Sequence, residues 1–296
     1  MPQDEADVDG CADLRIELMS HEQDFIEAFH VASEAFGRQT HDDIWMAMNP
    51  GWDTAEGKSR GAALMAQRWR RSTRDRVNRP NAMFVKATLP LGGHGRTQGR
   101  RTVGTAIWLQ ASAVDGYGDA PATDWRRALN VDEVCPGDAA AQRYLVQVMQ
   151  SLQRQRVGVV RQKASASPPS VMVLDLCAVD PAFQGRGVAK RMVQWGLEEA
   201  KARGGLECIL EASVMGRRVY EKLGFRQQGP EIEYEVDEQF AGRRRPSNVF
   251  MRTGPLEAAQ RNAVLSQQSG ASSVFDCLGA GEPSPGHIGA NRQESN

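Results

Sequence analysis

Residues 171–203, VMVLDLCAVDPAFQGRGVAKRMVQWGLEEAKAR, read as a strand, a glycine turn and a helix in direct succession. The first nine residues form an apolar run of strand length. After Gly185 and Gly187, the residues Ala189, Met192, Val193, Gly196, Leu197 and Ala200 recur at helical spacing, while Arg191, Glu198 and Lys201 fall outside the stripe. A glycine turn that opens a helix presents unpaired N–H groups at the positive end of the helix dipole, so phosphate can lie against bare backbone. Two common phosphate loops are excluded: GxxxxGK[ST] does not occur, and GRGVAK is not the GxGxxG of a dinucleotide fold. Downstream, 207–212 (ECILEA) predicts a second strand and 216–223 a short helix.

Working outward, residues 14–18 alternate like a short edge strand, and 22–36 carry Phe25, Ile26, Phe29, Ala32, Ala35 and Phe36 at near-helical spacing. One or two further helices are expected over 40–78. Residues 82–89 and 102–109 are rich in strand formers, joined by the glycine-bearing PLGGHGRTQGRR. Residues 111–139 have no period, a helix is expected from about 139 to 156, and 164–170 reads as a linker. The segments 231–236 and 248–251 are expected to close the sheet.

Strands alternate with helices, yet hairpins at both ends require a mixed α/β sheet rather than a purely parallel one. The expected organisation is one domain over 14–252, with insertions at about 40–78 and 111–169, flanked by a disordered 1–13 and a disordered tail over 253–296. That tail holds 15 Gly, Pro or Ser in 44 residues without a sustained apolar pattern.

Composition narrows the function. The five cysteines, Cys11, Cys135, Cys177, Cys208 and Cys277, are odd in number and include no CxxC, which argues against a disulfide framework or a zinc knuckle. No histidine pair has a metal spacing, and no metal is expected. No apolar run reaches 18 residues and the N-terminal stretch is acidic, so neither a spanning helix nor a signal peptide is expected. A cytoplasmic protein follows, with a nuclear location also open. Net charge is -1, but residues 1–57 hold 14 acids against two bases and 58–101 hold 12 bases against Asp75 alone. Such a basic block can bind nucleic acid; with few aromatics interleaved, solvation or pairing with the acidic N-terminal part is the expected use.

Gln184, Gly187 and Ala189 fall on the pattern Gln/Arg, two residues, Gly, one residue, Gly/Ala, and Val179-Asp180-Pro181 precedes them. A second block ends in Tyr220, three residues, then Gly224-Phe225. In these blocks the chain resembles the GNAT superfamily of acetyl-CoA-dependent N-acetyltransferases, over residues 171–226. The resemblance implies the acyl-CoA N-acyltransferase fold, with acetyl-CoA as cosubstrate between the strands 171–179 and 207–212. It implies backbone contacts to the pantetheine arm from Cys177 and Val179, and to the pyrophosphate from Gln184, Gly185, Arg186, Gly187, Val188, Ala189 and Lys190.

The resemblance further implies that Tyr220 protonates the departing thiolate. Ser213 or Glu211, at the end of the second strand, would polarise the reacting amide or the acceptor. Histone-modifying members carry a glutamate base at the position of Val173 in this chain. Its absence lowers the histone reading and leaves Asp175, two residues on, as the candidate proton acceptor through water. The expected reaction is direct transfer of acetyl to a primary amine of a small molecule or peptide, by a monomer or homodimer that binds neither membrane nor nucleic acid. A protein or histone acetyltransferase and a non-catalytic acyl-CoA-binding module remain as alternatives. Trp45, Trp52, Trp69 and Trp125 fall in the stretches where members build acceptor pockets.

Overall fold

The computed structural model describes residues 13–91 and 99–257. The expected disordered segments 1–13 and 253–296 fall mostly outside these residues, as do Cys11, His94, Cys277 and His287. The chain divides at Ala259, and the second unit, Gln260–Asn296, lies wholly outside the described residues.

Seven strands make one mixed sheet: β1 (Arg15–Leu18), β2 (Ala82–Pro90), β3 (Arg100–Ala111), β4 (Val171–Val179), β5 (Glu207–Ser213), β6 (Arg226–Glu231) and β7 (Asn248–Arg252), in the order β1-β2-β3-β4-β5-β7-β6. Among the described strands, only β4 and β5 pair in parallel. The mixed α/β sheet expected from the hairpins is present. A parallel pair needs a crossover, which the helix Val188–Ala202 (here α7) provides.

β4 is apolar apart from Asp175 because both its faces are covered. Met172 and Leu174 join a core with Val188, Met192 and Val193 of α7, and Val171 and Val173 pack with Val159 and Val160. Trp108 of β3 lies on α7 where Gly196 has no side chain; a Cβ there would run into the indole.

The opposite face carries α1 (Glu22–Ala32), which continues through π-helical turns over Ser33–Gln39, and then α2 (Asp43–Met48) and α3 (Ala55–Arg70). Trp45 packs against Phe29, Phe36 and Trp52, and Trp69 against Phe25, so these tryptophans serve packing between helices.

Three details differ from the sequence reading. First, the helix expected to stop near Arg156 is α6, Ala139–Gln162. An interior glycine, Gly158, costs about 1 kcal/mol of helix propensity, which the burial of Val159 and Val160 outweighs. Second, the strand expected over 231–236 lies earlier, at Arg226–Glu231. Ile232 keeps one bond to Asn248, while Tyr234 and Val236 pack toward α6 and Phe240. Third, the two interruptions meet. Ile44 from the first packs with Val131, Tyr144, Leu145, Val148 and Met149 from the second, and with Phe240. Two short helices, α4 (Trp125–Ala128) and α5 (Val131–Val134), border that cluster.

Candidate functional site

The parallel pairing of β4 with β5 runs from Val171↔Glu207 to Leu174↔Leu210 and stops. Beyond it, β4 stays paired to β3 and β5 to β7, so the two strands diverge and leave a slot between them. The β3–β4 ladder shifts register where Ile107 pairs Leu176 and Trp108 pairs Leu174, leaving Asp175 as an extra residue in a bulge. Asp175 and Leu176 therefore both serve the face that carries α1, α3 and α6, whereas Leu174 and Cys177 face α7.

At the far end of β4 the chain makes its glycine turn. Asp180 accepts from the Ala182 N–H at 3.0 Å and pairs with Arg101 at 2.7 Å. The Gln184 amide donates to the Val179 carbonyl at 3.0 Å and forms a two-way pair with Gln39 at 2.9 and 2.8 Å, tying the turn to the end of the α1 extension. Gly185 and Gly187 have φ of +76° and +77°, a region L side chains rarely adopt. A Cβ on either would meet nothing within 4 Å, so backbone conformation and not crowding requires glycine in the empty turn. Gly187 begins α7, and no side chain caps its N-terminus. The amides of the first turn therefore point outward with roughly half a positive charge behind them. Arg186 lies over the Phe183 ring at 5.3 Å.

On the α7 side of the slot stands Tyr220, on the short helix α8 (Arg217–Lys222). It is 9% exposed and packs edge-on to Phe225 at 6.0 Å. Its ring lies across Gly216, where a Cβ would collide with it. The hydroxyl interacts with the Cys177 side chain. Burial raises the Tyr220 hydroxyl far above its ordinary range, and burial pushes the Cys177 thiol up to about 12 despite the tyrosine's hydrogen bond. The phenol and the thiol both keep their protons at neutral pH. A buried Cys208 is likewise held as a thiol, so neither cysteine is activated for attack.

The opposite face of the slot holds a buried ionic cluster. Arg156 of α6 donates from Nη1 to Asp175 at 2.6 Å and from Nε to Glu211 at 3.1 Å, and its Nη2 also reaches Glu211. Arg68 of α3 closes the cluster on the other oxygen of Asp175 at 2.7 Å. Desolvation opposes the charge on Asp175, but the two guanidiniums prevail and hold its carboxyl well below the usual range. Glu211 is shifted the other way, because burial outweighs Arg156. Ser213 ends β5 on the Glu211 face, half-buried, with its carbonyl accepting from Gly216 at 3.0 Å.

The structure brings together Tyr220, Cys177, Asp175 and Glu211 around one slot, with the turn at its end. Val179 is less open than expected, since Gln184 already bonds its carbonyl. Arg156 and Arg68 were not singled out from sequence. Arg156 carried a usable signal: it follows Leu145, Val148 and Leu152 on the buried stripe of α6, where an isolated arginine needs partners. On the outer side of this face lie Asp42, whose carboxyl burial raises, and Tyr234, which accepts from Asn248 at 2.9 Å. Among the described residues, no group of His, Cys, Asp or Glu is placed to hold a metal ion, and no helix is long and apolar enough to cross a membrane.

Residues 126–236 match the family model described as acetyltransferase (GNAT) domain. Over those residues the chain is similar to a GNAT acetyltransferase domain. Arylalkylamine N-acetyltransferase 2 from Aedes aegypti aligns with a TM-score of 0.51 at 17% identity, over 81% of this chain and 97% of that one. A mosquito arylalkylamine N-acetyltransferase like 5b aligns with a TM-score of 0.52 at 13% identity, over 81% of this chain and 99% of that one. At these identities the likeness is one of fold. A search of the curated proteins finds no match.

Proposed function

We propose that this GNAT protein transfers acetyl from acetyl-CoA to a primary amine of a small molecule or peptide by direct attack. The observation that carries the reading is the uncapped N-terminus of α7 at Gly187, lying at the wide end of the β4–β5 slot. In this reading the turn from Gln184 through Gly185, Arg186, Gly187, Val188 and Ala189 to Lys190 receives the pyrophosphate on backbone amides. The pantetheine arm enters the slot and pairs with the backbone at Cys177 as an added strand would.

Tyr220 is the proton donor to the leaving thiolate. Its hydroxyl already rests at a sulfur, that of Cys177, and its burial keeps the proton in place until a thiolate forms beside it. Because both cysteines of the slot and β5 stay protonated, acetyl passes directly to the amine, without an acetyl-cysteine. A carboxylate held ionised by two guanidiniums is a weak base, so Asp175 supports the slot; the amine attacks uncharged, and the proton it sheds after attack passes through water to restore the tyrosine. Ser213, at the open end of β5, is positioned to meet the acceptor.

Calorimetric titration with acetyl-CoA, followed by thiol-release assays with arylalkylamines, polyamines, aminoglycosides, amino acids and peptide N-termini, tests the reading. Binding with acetylation of one amine class is the expected result. Absence of acetyl-CoA binding would overturn it, and binding without turnover on any amine would reassign the protein as an acyl-CoA-binding module.

A further inference from the structure

The last backbone-paired residues of β4 and β5 are Leu174 and Leu210, and the next residue on each strand is an acid, Asp175 and Glu211. Where the ladder stops, the guanidinium of Arg156 takes its place: one edge bonds Asp175 and the other grips Glu211 with two nitrogens. All three side chains are at least 85% buried. A planar fork of fixed dimensions thus bridges the diverging strands at the root of the slot. It comes from α6, a helix anchored on both sides of Arg156 by Met149 and Val160, so the bridge does not move freely.

Energetics alone give little reason for this arrangement. A buried ionic triad pays a desolvation cost that apolar side chains of similar volume avoid, and such replacement is often neutral or stabilising. What the triad supplies that leucines cannot is a directional link of set length between two strands that no longer share hydrogen bonds.

We propose that Arg156 is a positioning residue, whose bridge from Asp175 to Glu211 sets the width of the β4–β5 slot for the thioester end of acetyl-CoA. The inference rests on the acetyl-CoA reading and deepens it. It separates the ligand into two halves. The nucleotide half lies at the glycine turn, remote from Arg156 along β4, and the acyl-pantetheine half lies at the bridge.

The test measures calorimetric affinities for acetyl-CoA and for 3′-phospho-ADP, the nucleotide half alone, in three proteins: wild type, Arg156→Lys, and the neutral triple variant Arg156→Met/Asp175→Leu/Glu211→Met. Lysine keeps the charge but cannot span both acids as a fork, so Arg156→Lys is expected to weaken acetyl-CoA by about tenfold with 3′-phospho-ADP unchanged. The triple variant is expected to fold with a melting temperature near wild type and to show the same selective loss. Equal acetyl-CoA affinity in wild type and Arg156→Lys would overturn the proposal, as would parallel loss of both ligands in that variant, which marks a merely structural role. A wild type that binds neither ligand would instead overturn the acetyl-CoA reading.

Discussion

The two ends of the β4–β5 slot are built on opposite principles. The glycine turn at 184–188 is mostly exposed and works through backbone: two left-handed glycines and an uncapped helix, with little side-chain machinery. The Arg156 cluster is buried and works through side chains gathered from α3, β4, α6 and β5. The first costs the fold little, since amides at any helix N-terminus lack partners. The second is stable only when complete, because Arg156, Asp175 and Glu211 are desolvated and rely on one another, with the half-exposed Arg68 at the rim. Exposed backbone and buried structural support are thereby separated along one strand.

The largest effect should come from breaking the buried end. Arg156→Ala leaves two carboxylates without their shared cation and is expected to cost about 3–5 kcal/mol of stability, read as a shift of the urea midpoint. A loss below 1 kcal/mol would mean that water reaches the cluster and that the contrast between the two ends is overstated.

Between the ends, Tyr220→Phe keeps the ring against Phe225 and removes only the hydroxyl. It is expected to lower kcat roughly 10-fold to 1000-fold, the scale of a positioned acid, with acetyl-CoA affinity barely moved. Unchanged kcat, with chemistry shown to limit the rate, would remove the tyrosine from that role.

At the exposed end, Gly187→Trp should weaken acetyl-CoA about tenfold or more while the fold survives, because a left-handed conformation costs a non-glycine residue about 1–2 kcal/mol and the indole would cover the amides. Calorimetry and a melting curve separate the two contributions. Equal affinity would place the pyrophosphate elsewhere.

Acid sharpens the same comparison. Asp175 has a folded-state pKa below its unfolded value, so its contribution to stability is complete above the ordinary aspartate range, near pH 3.9, and is lost as pH falls through the folded value. Glu207, bonded to Arg252 and Lys163, behaves in the same direction. Glu211 is raised and contributes in the opposite sense. Urea midpoints at pH 7, 5 and 3 should therefore fall at the lowest pH, and less steeply in Asp175→Asn. Equal slopes would show that Asp175 is not held down in solution.

The smallest effect is expected on the basic block. Arg70 meets Glu22 across an exposed surface, so Arg70→Ala should change stability by less than about 0.5 kcal/mol. Elsewhere in that block, Arg68 meets Asp175, Arg79 meets Asp75 and Arg101 meets Asp180. Arg70–Glu22 and Lys86–Asp24 are the expected pairing with the N-terminal acids, whereas Arg68 and Arg101 reach β4 and the glycine turn instead and Arg79 pairs within the block.

Much of this was legible from local pattern. The alternation of apolar runs and helical stripes placed β4, α7, β5 and α8 nearly where they lie, and Gly185 and Gly187 marked the turn. Each of those signals is short-range: a period, a cap, a residue that tolerates positive φ. The places where the reading slipped were those where distant residues compete for the same core. The helix α6 did not stop near Arg156, because Val159 and Val160 bury against β4. Tyr234 and Val236 did not extend a strand, because Phe240 and α6 offered a better apolar partner.

By itself, then, the sequence determined the mixed sheet, the strand–turn–helix with its two glycines, and the tyrosine of the second block, since each depends on residues adjacent in the chain. Tertiary structure alone decided that β4 would bulge at Asp175, that two apparent interruptions would share one core, and that Arg156 would stand where the β4–β5 ladder ends. Residues 156, 175 and 211 are separated by 19 and 36 positions, and no periodicity links them. Their meeting follows from desolvation: a charge that α6 carries into the interior is tolerated only where opposite charges from other elements are already waiting.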